Sequence, residues 1–364
     1  MPRPSRPSQL PWSRLARRLT VWYRCARRDL PWRGTRDPYR IWVSEVMLQQ
    51  TTVKAVVPYY ARFLERFPTL SHLARAPLRE VLAAWSGLGY YRRARSLHAT
   101  ARLVTARHGG RVPGSRDALL ALPGIGRYTA GAILSLAFGQ REPVVDGNVA
   151  RVLSRLLLER EDPRQDPARE RLWGAALNLV EASASPGDLN QALMELGATV
   201  CTPAVPACGT CPLSAACEAR ARGLQGAIPK APRRRRPVRQ QSRLAIVRRN
   251  GRLLMHRREG TGLMDGLWEL PEVAPGGTAP DGGPGIAAGQ WLATVTHSIT
   301  YRRIEVQIHE GRLLGQPRGP AYRWVTPDAA RRLPASSLVR KALDRLEIPP
   351  SSRPRGGRPV RPRV

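Results

Sequence analysis

Leu122-Pro-Gly-Ile-Gly-Arg-Tyr-Thr-Ala-Gly131 and, a short helix further on, Val144-Val-Asp-Gly-Asn-Val149 decide the reading of this chain. The first stretch reads as a tight glycine-rich turn between two helices. The second places an acidic residue at the mouth of a third. In Pro123-Gly-Ile-Gly126 the glycines permit positive φ and let the backbone approach a partner closely. The helix predicted to begin at Thr129 leaves its free N–H groups facing the turn, a ready anion site. Gly124, Gly126 and the basic Arg127 are therefore the candidate phosphate-holding residues. A turn of this kind also serves as a plain connector, and the motif alone does not separate the two.

The composition points outward from that turn to a polyanion. The 364 residues carry 60 Lys and Arg against 27 Asp and Glu, a formal net charge of +33. Lys54, Lys230 and Lys341 are the only lysines, so the excess is arginine. A coding bias explains arginine over lysine but not the scarcity of acids, and nucleic acid is the first candidate partner. No run of 18 apolar residues is present, which argues against a membrane span. Residues Met1 to Pro11 lack the apolar core of a secretory signal, so an intracellular protein is expected. Four of the five cysteines are clustered and Cys25 stands alone, unlike a disulfide framework.

The chain reads as multidomain. Residues 1–10 and 349–364 are Pro- and Arg-rich and are expected to be disordered. Over 11–222 apolar residues recur at three- and four-residue steps, as in Leu78, Val81, Leu82 and Trp85, predicting an all-α domain of many short helices. Residues 223–242, with the run Arg233–Arg236, read as a basic, proline-broken linker. Within 243–348, Leu244–Val247, Leu253–His256 and Ile304–His309 read as strands and Leu338–Leu346 as a closing amphipathic helix, giving a smaller α+β domain. Residues 275–285, rich in Gly and Pro, read as a loop.

Two carboxylates and a cysteine group carry the candidate chemistry. Glu45 lies in Ile41-Trp-Val-Ser-Glu-Val-Met-Leu-Gln-Gln50 with no Lys or Arg three or four residues away, so no helical ion pair is available. A carboxyl among apolar residues has its pKa raised, which suits a general acid, although a helical Glu can equally sit on an exposed face. Asp146 precedes a helix and reads either as an N-cap or as a carboxylate emerging from the buried Val144-Val145. Glycosidic cleavage needs two carboxylates of differing environment, one to protonate the leaving group and one to stabilise the oxocarbenium ion. Cys201, Cys208, Cys211 and Cys217 are spaced C-x6-C-x2-C-x5-C. Four thiolates suit zinc or a [4Fe–4S] cluster; a zinc ribbon brings two C-x2-C pairs, and the single pair here favours iron–sulfur.

Together these residues resemble the adenine DNA glycosylase (MutY) family, within the helix-hairpin-helix glycosylases that include endonuclease III. The likeness runs from Leu30 to Cys217. It rests on Leu30-Pro-Trp-Arg33, Ser44-Glu-Val-Met-Leu-Gln-Gln-Thr51, Gly87-Leu-Gly-Tyr-Tyr91, Leu122–Gly126, Val145–Val149, Asn190-Gln-Ala-Leu-Met-Glu-Leu-Gly197 and the cysteine spacing. The resemblance implies a helix-hairpin-helix at 122–131 and a [4Fe–4S] loop at 201–217. It implies a base-excision enzyme, monomeric and nucleoid-associated, removing adenine opposite 8-oxoguanine or guanine in double-stranded DNA after flipping it from the stack. By the same resemblance Glu45 is the general acid and Asp146 the carboxylate facing the sugar cation, with Tyr128 and Asn148 in support. Arg28, Trp32 and Gln191 fall where the family lines its adenine pocket, and Gln50 and Tyr90 match residues that wedge into the duplex. Relatives that also cut the strand carry a lysine at the Tyr128 position. Tyrosine forms no imine, so a monofunctional hydrolase is expected.

In the C-terminal domain, Gly266-Leu-Trp-Glu-Leu-Pro271 resembles the family's MutT-like (Nudix) module, which recognises 8-oxoguanine, and the acidic Nudix hydrolase box is missing. The family's Phe-Ser-His loop is replaced by Ile299, Thr300 and Tyr301 after His297-Ser298, leaving Thr300 as the candidate lesion contact. Two other readings stand beside this one: an endonuclease III-like pyrimidine or G·T mismatch glycosylase, and a non-catalytic iron–sulfur DNA-binding protein.

Overall fold

The computed structural model describes residues 10–230, 237–260, 265–273, 284–299, 301–317, 319–346 and 348. The expectations for residues 1–9 and 349–364, the Arg233–Arg236 run, most of the 275–285 loop, and Thr300 lie outside the described residues. The chain divides into two compact units: one holds residues up to 76 and from 92 to 233, the other residues 77–91 and those from 234 on.

The first unit is all-helical. Its elements begin with α1 (Trp12–Ala26), α2 (Pro38–Leu48), α3 (Val53–Arg66) and α4 (Leu70–Arg75). Next in the chain comes α5 (Leu78–Trp85), which belongs to the second unit. The first unit resumes with α6 (Arg92–Arg107), α7 (Arg116–Leu120), α8 (Arg127–Leu136), α9 (Gly147–Leu157), α10 (Ala168–Glu181), α11 (Pro186–Thr199) and the single turn α12 (Glu218–Ala221). The 3.6-residue apolar period builds the core directly. Leu15 and Leu19 of α1, Val149, Val152, Leu153 and Leu156 of α9, Leu172 and Leu179 of α10, and Leu189, Leu193 and Leu196 of α11 form one buried cluster. Helix starts follow local chemistry. Asp37, Thr52, Thr69 and Ser115 each accept a backbone N–H from their own first turn.

The second unit holds a six-stranded mixed sheet made of β1 (Val238–Arg249), β2 (Arg252–Arg257), β3 (Trp268–Glu269), β4 (Ile286–Ile299), β5 (Arg302–Leu313) and β6 (Tyr322–Val325). The order is β3-β2-β1-β5-β4 with β6 also on β2; β1 and β5 run parallel, β4 and β5 antiparallel. Helices α13 (Pro327–Arg332) and α14 (Ser337–Arg345) complete it. Leu244 and Ile246 join a core with Val339 and Leu343 of α14, while Ala245 and Val247 face a smaller cluster with Leu254 and Ile286. Burial on both faces is why Leu244-Ala-Ile-Val is continuously apolar instead of alternating.

Four expected boundaries move. Strand β1 starts at Val238, inside the stretch read as linker, because its first residues already pair with β5 (Val238 opposite Arg302). At the other end of that stretch Ile228 is buried and its carbonyl accepts from Arg155 Nε at 2.8 Å, so the helical unit runs past 222. Residues 77–91, read as part of the helical domain, join the second unit: Tyr91 Oη donates to Ala335 O at 2.9 Å and Arg340 Nη2 to Ser86 Oγ at 2.6 Å. Leu10, read with the disordered end, packs on the α1 core.

Candidate active site

The first unit holds a cavity of about 510 Å³ lined from five helices and the loops beside them. Glu45 from α2, Tyr128 from α8, Asp146 and Asn148 from the start of α9, and Gln191, Met194 and Glu195 from α11 face it, with Arg28, Trp32 and Gln50 from connecting segments. All four expected catalytic positions and four of the six expected substrate contacts thus come together. Tyr90 lies in the second unit, 42% exposed at φ +50°.

Glu45 is 4% exposed in the middle of α2, where every backbone N–H is already used by the helix. The Tyr128 hydroxyl donates to Glu45 Oε2 at 2.5 Å and lies 3.6 Å from Met194 Sδ. Burial pushes the Glu45 carboxyl up to about 7; the tyrosine hydrogen bond opposes this and the nearby Asp146 adds to it. Tyr128 is itself driven upward by burial and by both carboxylates, so it stays a neutral donor.

Asp146 satisfies both sequence readings at once. It is the N-cap of α9, with Oδ1 accepting from Val149 N at 2.7 Å, and it lines the cavity. Burial raises its carboxyl, against hydrogen bonds from Val149 and Asn148 and the Arg151 charge. Asn148 Nδ2 donates to Asp146 Oδ2 at 3.1 Å, and Arg151 Nη2 donates to Asn148 Oδ1 at 2.9 Å. Helix α11 crosses here at Gly197, where an added Cβ would lie 2.6 Å from Asn148 Cβ. Only glycine admits that approach.

At the far side of the cavity is a clamp that sequence reasoning missed. Glu195 accepts from Arg28 Nε and Nη2 at 2.8 and 2.7 Å and from Arg33 Nη2 at 2.6 Å. Burial by itself would raise the Glu195 carboxyl, but these bonds hold it at about 2. Arg28 thus lines the cavity as half of an ion pair. The one available signal was spacing: Glu195 follows Gln191 by four residues, hence on the same helix face. Gln191 Oε1 accepts from Tyr23 Oη at 2.8 Å, and Trp32 meets Tyr60 edge-on at 5.4 Å between ring centroids.

The glycine turn between α7 and α8 behaves partly as expected. Gly124 sits at φ +80°, and a Cβ there would also lie 2.8 Å from Ser96 Cβ. Gly126 does not use positive φ: it is the extended N-cap of α8, at φ −99°. The helix begins at Arg127 and not Thr129. Arg127 departs from the phosphate-holding expectation. Its guanidinium makes two hydrogen bonds to Glu170, at 2.9 and 3.0 Å, and stacks over Trp173 at 4.0 Å. The partners come from α10, which the hairpin sequence does not foretell.

The four cysteines follow α11 and are within electrostatic reach of one another. Burial raises Cys211 to about 11, and Cys201, Cys217 and Cys208 each push the same way. Arg155 Nη1 lies 3.3 Å from Cys201 Sγ, and the Leu213 N–H bonds Cys211. Arg151 Nε also donates to Cys201 O at 2.8 Å, tying this loop to the residue that holds Asn148. Among the described residues no group of three or more His, Cys, Asp or Glu is arranged to hold a single metal ion. Four neighbouring cysteines with cationic and N–H donors beside them do fit a polynuclear group that takes them as thiolates. In the second unit, His297 and Ser298 lie in β4 and Tyr301 precedes β5, on either side of the undescribed Thr300.

Comparison with known proteins agrees with this geometry. Residues 43–176 match the profile of the HhH-GPD superfamily base excision DNA repair proteins, and residues 243–345 that of the NUDIX domain. The chain is 37% identical to the adenine DNA glycosylase of Rattus norvegicus over 90% of its own length and 77% of that protein. It is 36% identical to that of Homo sapiens over 89% and 72%. A solved thermostable thymine-DNA glycosylase superposes with a TM-score of 0.53 at 33% identity, covering 58% of this chain and 97% of that one. The fold and site define a base-excision DNA glycosylase of the helix-hairpin-helix class. Within that class, the chain belongs to the adenine DNA glycosylase family.

Proposed function

We propose that this protein hydrolyses the N-glycosidic bond of adenine mispaired with 8-oxoguanine or guanine in duplex DNA and leaves the strand uncut. The observation that carries the reading is the pair of carboxylates on one cavity, one buried and raised to about 7 behind a tyrosine and the other on a helix N-cap. Protonated Glu45 delivers its proton to the departing purine, and the carboxylate it becomes takes a proton from the incoming water. The Asp146 anion, which its hydrogen bonds from Val149 and Asn148 favour, faces the same space and offsets the positive charge that develops on the sugar. The cavity contains no lysine to attack C1′, since the chain has none between Lys54 and Lys230. Arg28, Trp32 and Gln191 supply the base-binding wall, and Gln50 and Tyr90 enter the space the base leaves. Gly124, Gly126 and the α8 N-terminus hold the backbone, with Thr300 beside the lesion. The protein acts as a monomer on the nucleoid.

Cys201, Cys208, Cys211 and Cys217 hold a [4Fe–4S] cluster in this reading. As its ligands, these four thiolates would fix the loop after α11, which Arg151 and Arg155 of α9 already bond at Cys201. Protein purified without oxygen should be brown and contain about four irons per chain; colourless, iron-free protein rejects the assignment.

The direct test incubates the protein with duplexes carrying A opposite 8-oxoguanine, A opposite G and T opposite G. Cleavage of only the adenine strand, and only after alkali, is expected. Excision of thymine alone, or covalent trapping by borohydride, refutes the proposal.

A further inference from the structure

The loop after α2 carries Gln50 in a left-handed conformation, φ +55°, although a residue with a Cβ resists that region. One side chain accounts for it. Arg93, the second residue of α6, reaches the C-terminus of α2 and donates through Nη1 to Val46 O and Met47 O at 2.8 Å each and to Gln49 O at 2.5 Å. Its Nη2 donates to Thr51 Oγ1 at 3.1 Å. The guanidinium therefore bonds residues on both sides of Gln50. Val46 and Met47 carry two of the carbonyls a helix leaves without partners at its end, where a cation is also favoured. The same helix carries Glu45.

We propose that Arg93 is the positioning residue for the Gln50 wedge: it holds the α2–α3 loop so that Gln50 projects toward the duplex, and without it the wedge is lost while the acid remains. The inference rests on the reading above, in which an adenosine leaves the stack. Arginine is needed because a planar fork with several fixed donors spans acceptors on either side of the loop, whereas the lysine ammonium is a compact point charge. Arg93 does not line the cavity that holds Glu45 and Asp146.

The test compares two substrates in single-turnover excision. In one, the target adenine is paired opposite 8-oxoguanine; in the other, it sits in an unpaired bulge and needs no wedge. Arg93→Ala is expected to slow the paired substrate by about tenfold or more, the loss of one charge-assisted hydrogen bond or greater, and to leave the bulge within about twofold. Arg93→Lys, which keeps the charge, should fall between on the paired substrate and preserves the test if the alanine variant does not fold. Arg93→Ala combined with Gln50→Ala should be no slower than Gln50→Ala alone, since both remove the same device. Equal losses on both substrates, or additive losses in the double variant, overturn the inference. Wild-type protein that releases adenine from neither substrate refutes the proposed function instead.

Discussion

Replacing Tyr128 with phenylalanine removes a single oxygen, and the direction of its effect follows from the structure. The hydroxyl donates to Glu45 Oε2 at 2.5 Å, a bond that favours the ionised carboxylate. It is the one hydrogen bond that opposes burial at Glu45, whose carboxyl stands at about 7. A hydrogen bond to a charged group contributes roughly 1.5–3 kcal/mol, and one pKa unit is about 1.4 kcal/mol. Its loss should therefore carry the Glu45 pKa up by roughly one to two units. Because the proposed acid works only when protonated, the wild-type single-turnover rate should fall as pH rises through about 7. In Tyr128→Phe the alkaline limb should move to about pH 8–9, whatever happens to the maximum rate. The assay is adenine release from an A·8-oxoguanine duplex across pH 5.5–9.5 (roughly), with enzyme in excess. Glu45→Gln supplies the control, since it should abolish the limb and slow the reaction by about 10²-fold or more. An alkaline limb that stays in place or shifts downward in Tyr128→Phe refutes the assignment of the acid.

Other perturbations test the same architecture. Glu45→Gln should also stabilise the protein, because a carboxyl raised from 4.5 to about 7 by burial loses folding stability as pH climbs through that window. Denaturant titration should find the variant more stable by up to about 3 kcal/mol at pH 8 and the gain vanishing below pH ~4.5; a gain that persists in acid contradicts the linkage. Glu195→Ala strands Arg33 and Arg28 beside the cavity and should cost about 3 kcal/mol or more, while a variant as stable as wild type would show the clamp to be energetically idle. Gly197→Ala drives a methyl into Asn148, and should lower stability by about 1–3 kcal/mol and slow excision together. Unchanged excision would mean that Asn148 can move freely. Binding to duplex DNA should weaken with salt at about 0.9 log units per log unit for each phosphate neutralised; a flat dependence would remove the arginine excess from the account.

What the sequence made legible is what short-range chemistry controls. The turn at Gly124, the cap at Asp146 and the apolar setting of Glu45 depend on a few neighbouring residues, and each is found where the pattern put it. Contacts between distant segments were not legible. The Tyr128–Glu45 bond joins residues 83 apart, and the Arg28–Glu195 clamp residues 167 apart. Arg127 shows the consequence: beside a glycine turn it reads as a phosphate ligand, yet Glu170 and Trp173 of α10 engage it first. Helix α5 was found by its period, but a period says which face is buried and not which unit buries it.

The division of labour between the two carboxylates can be traced to where each leaves the backbone. A glutamate in mid-helix meets no free N–H, because every one nearby is bonded to a carbonyl four residues back. Glu45 is therefore left with the one donor that another helix brings, and burial prevails. An aspartate at the N-cap faces the unpaired N–H groups of the first turn and the positive end of the helix. Asp146 is less deeply buried; burial still raises its carboxyl, but Val149, Asn148 and the Arg151 charge all favour its anion. Exchanging the two residue types would undo the arrangement twice over. An Asp at 45 would be too short to reach the Tyr128 hydroxyl, and a Glu at 146 would set its carboxylate beyond the N–H groups that now bind it. Burial thus raises both acids, but the one in the middle of a helix has a single donor to oppose it, whereas the one at a helix beginning is drawn back toward its anion by the N–H groups it caps.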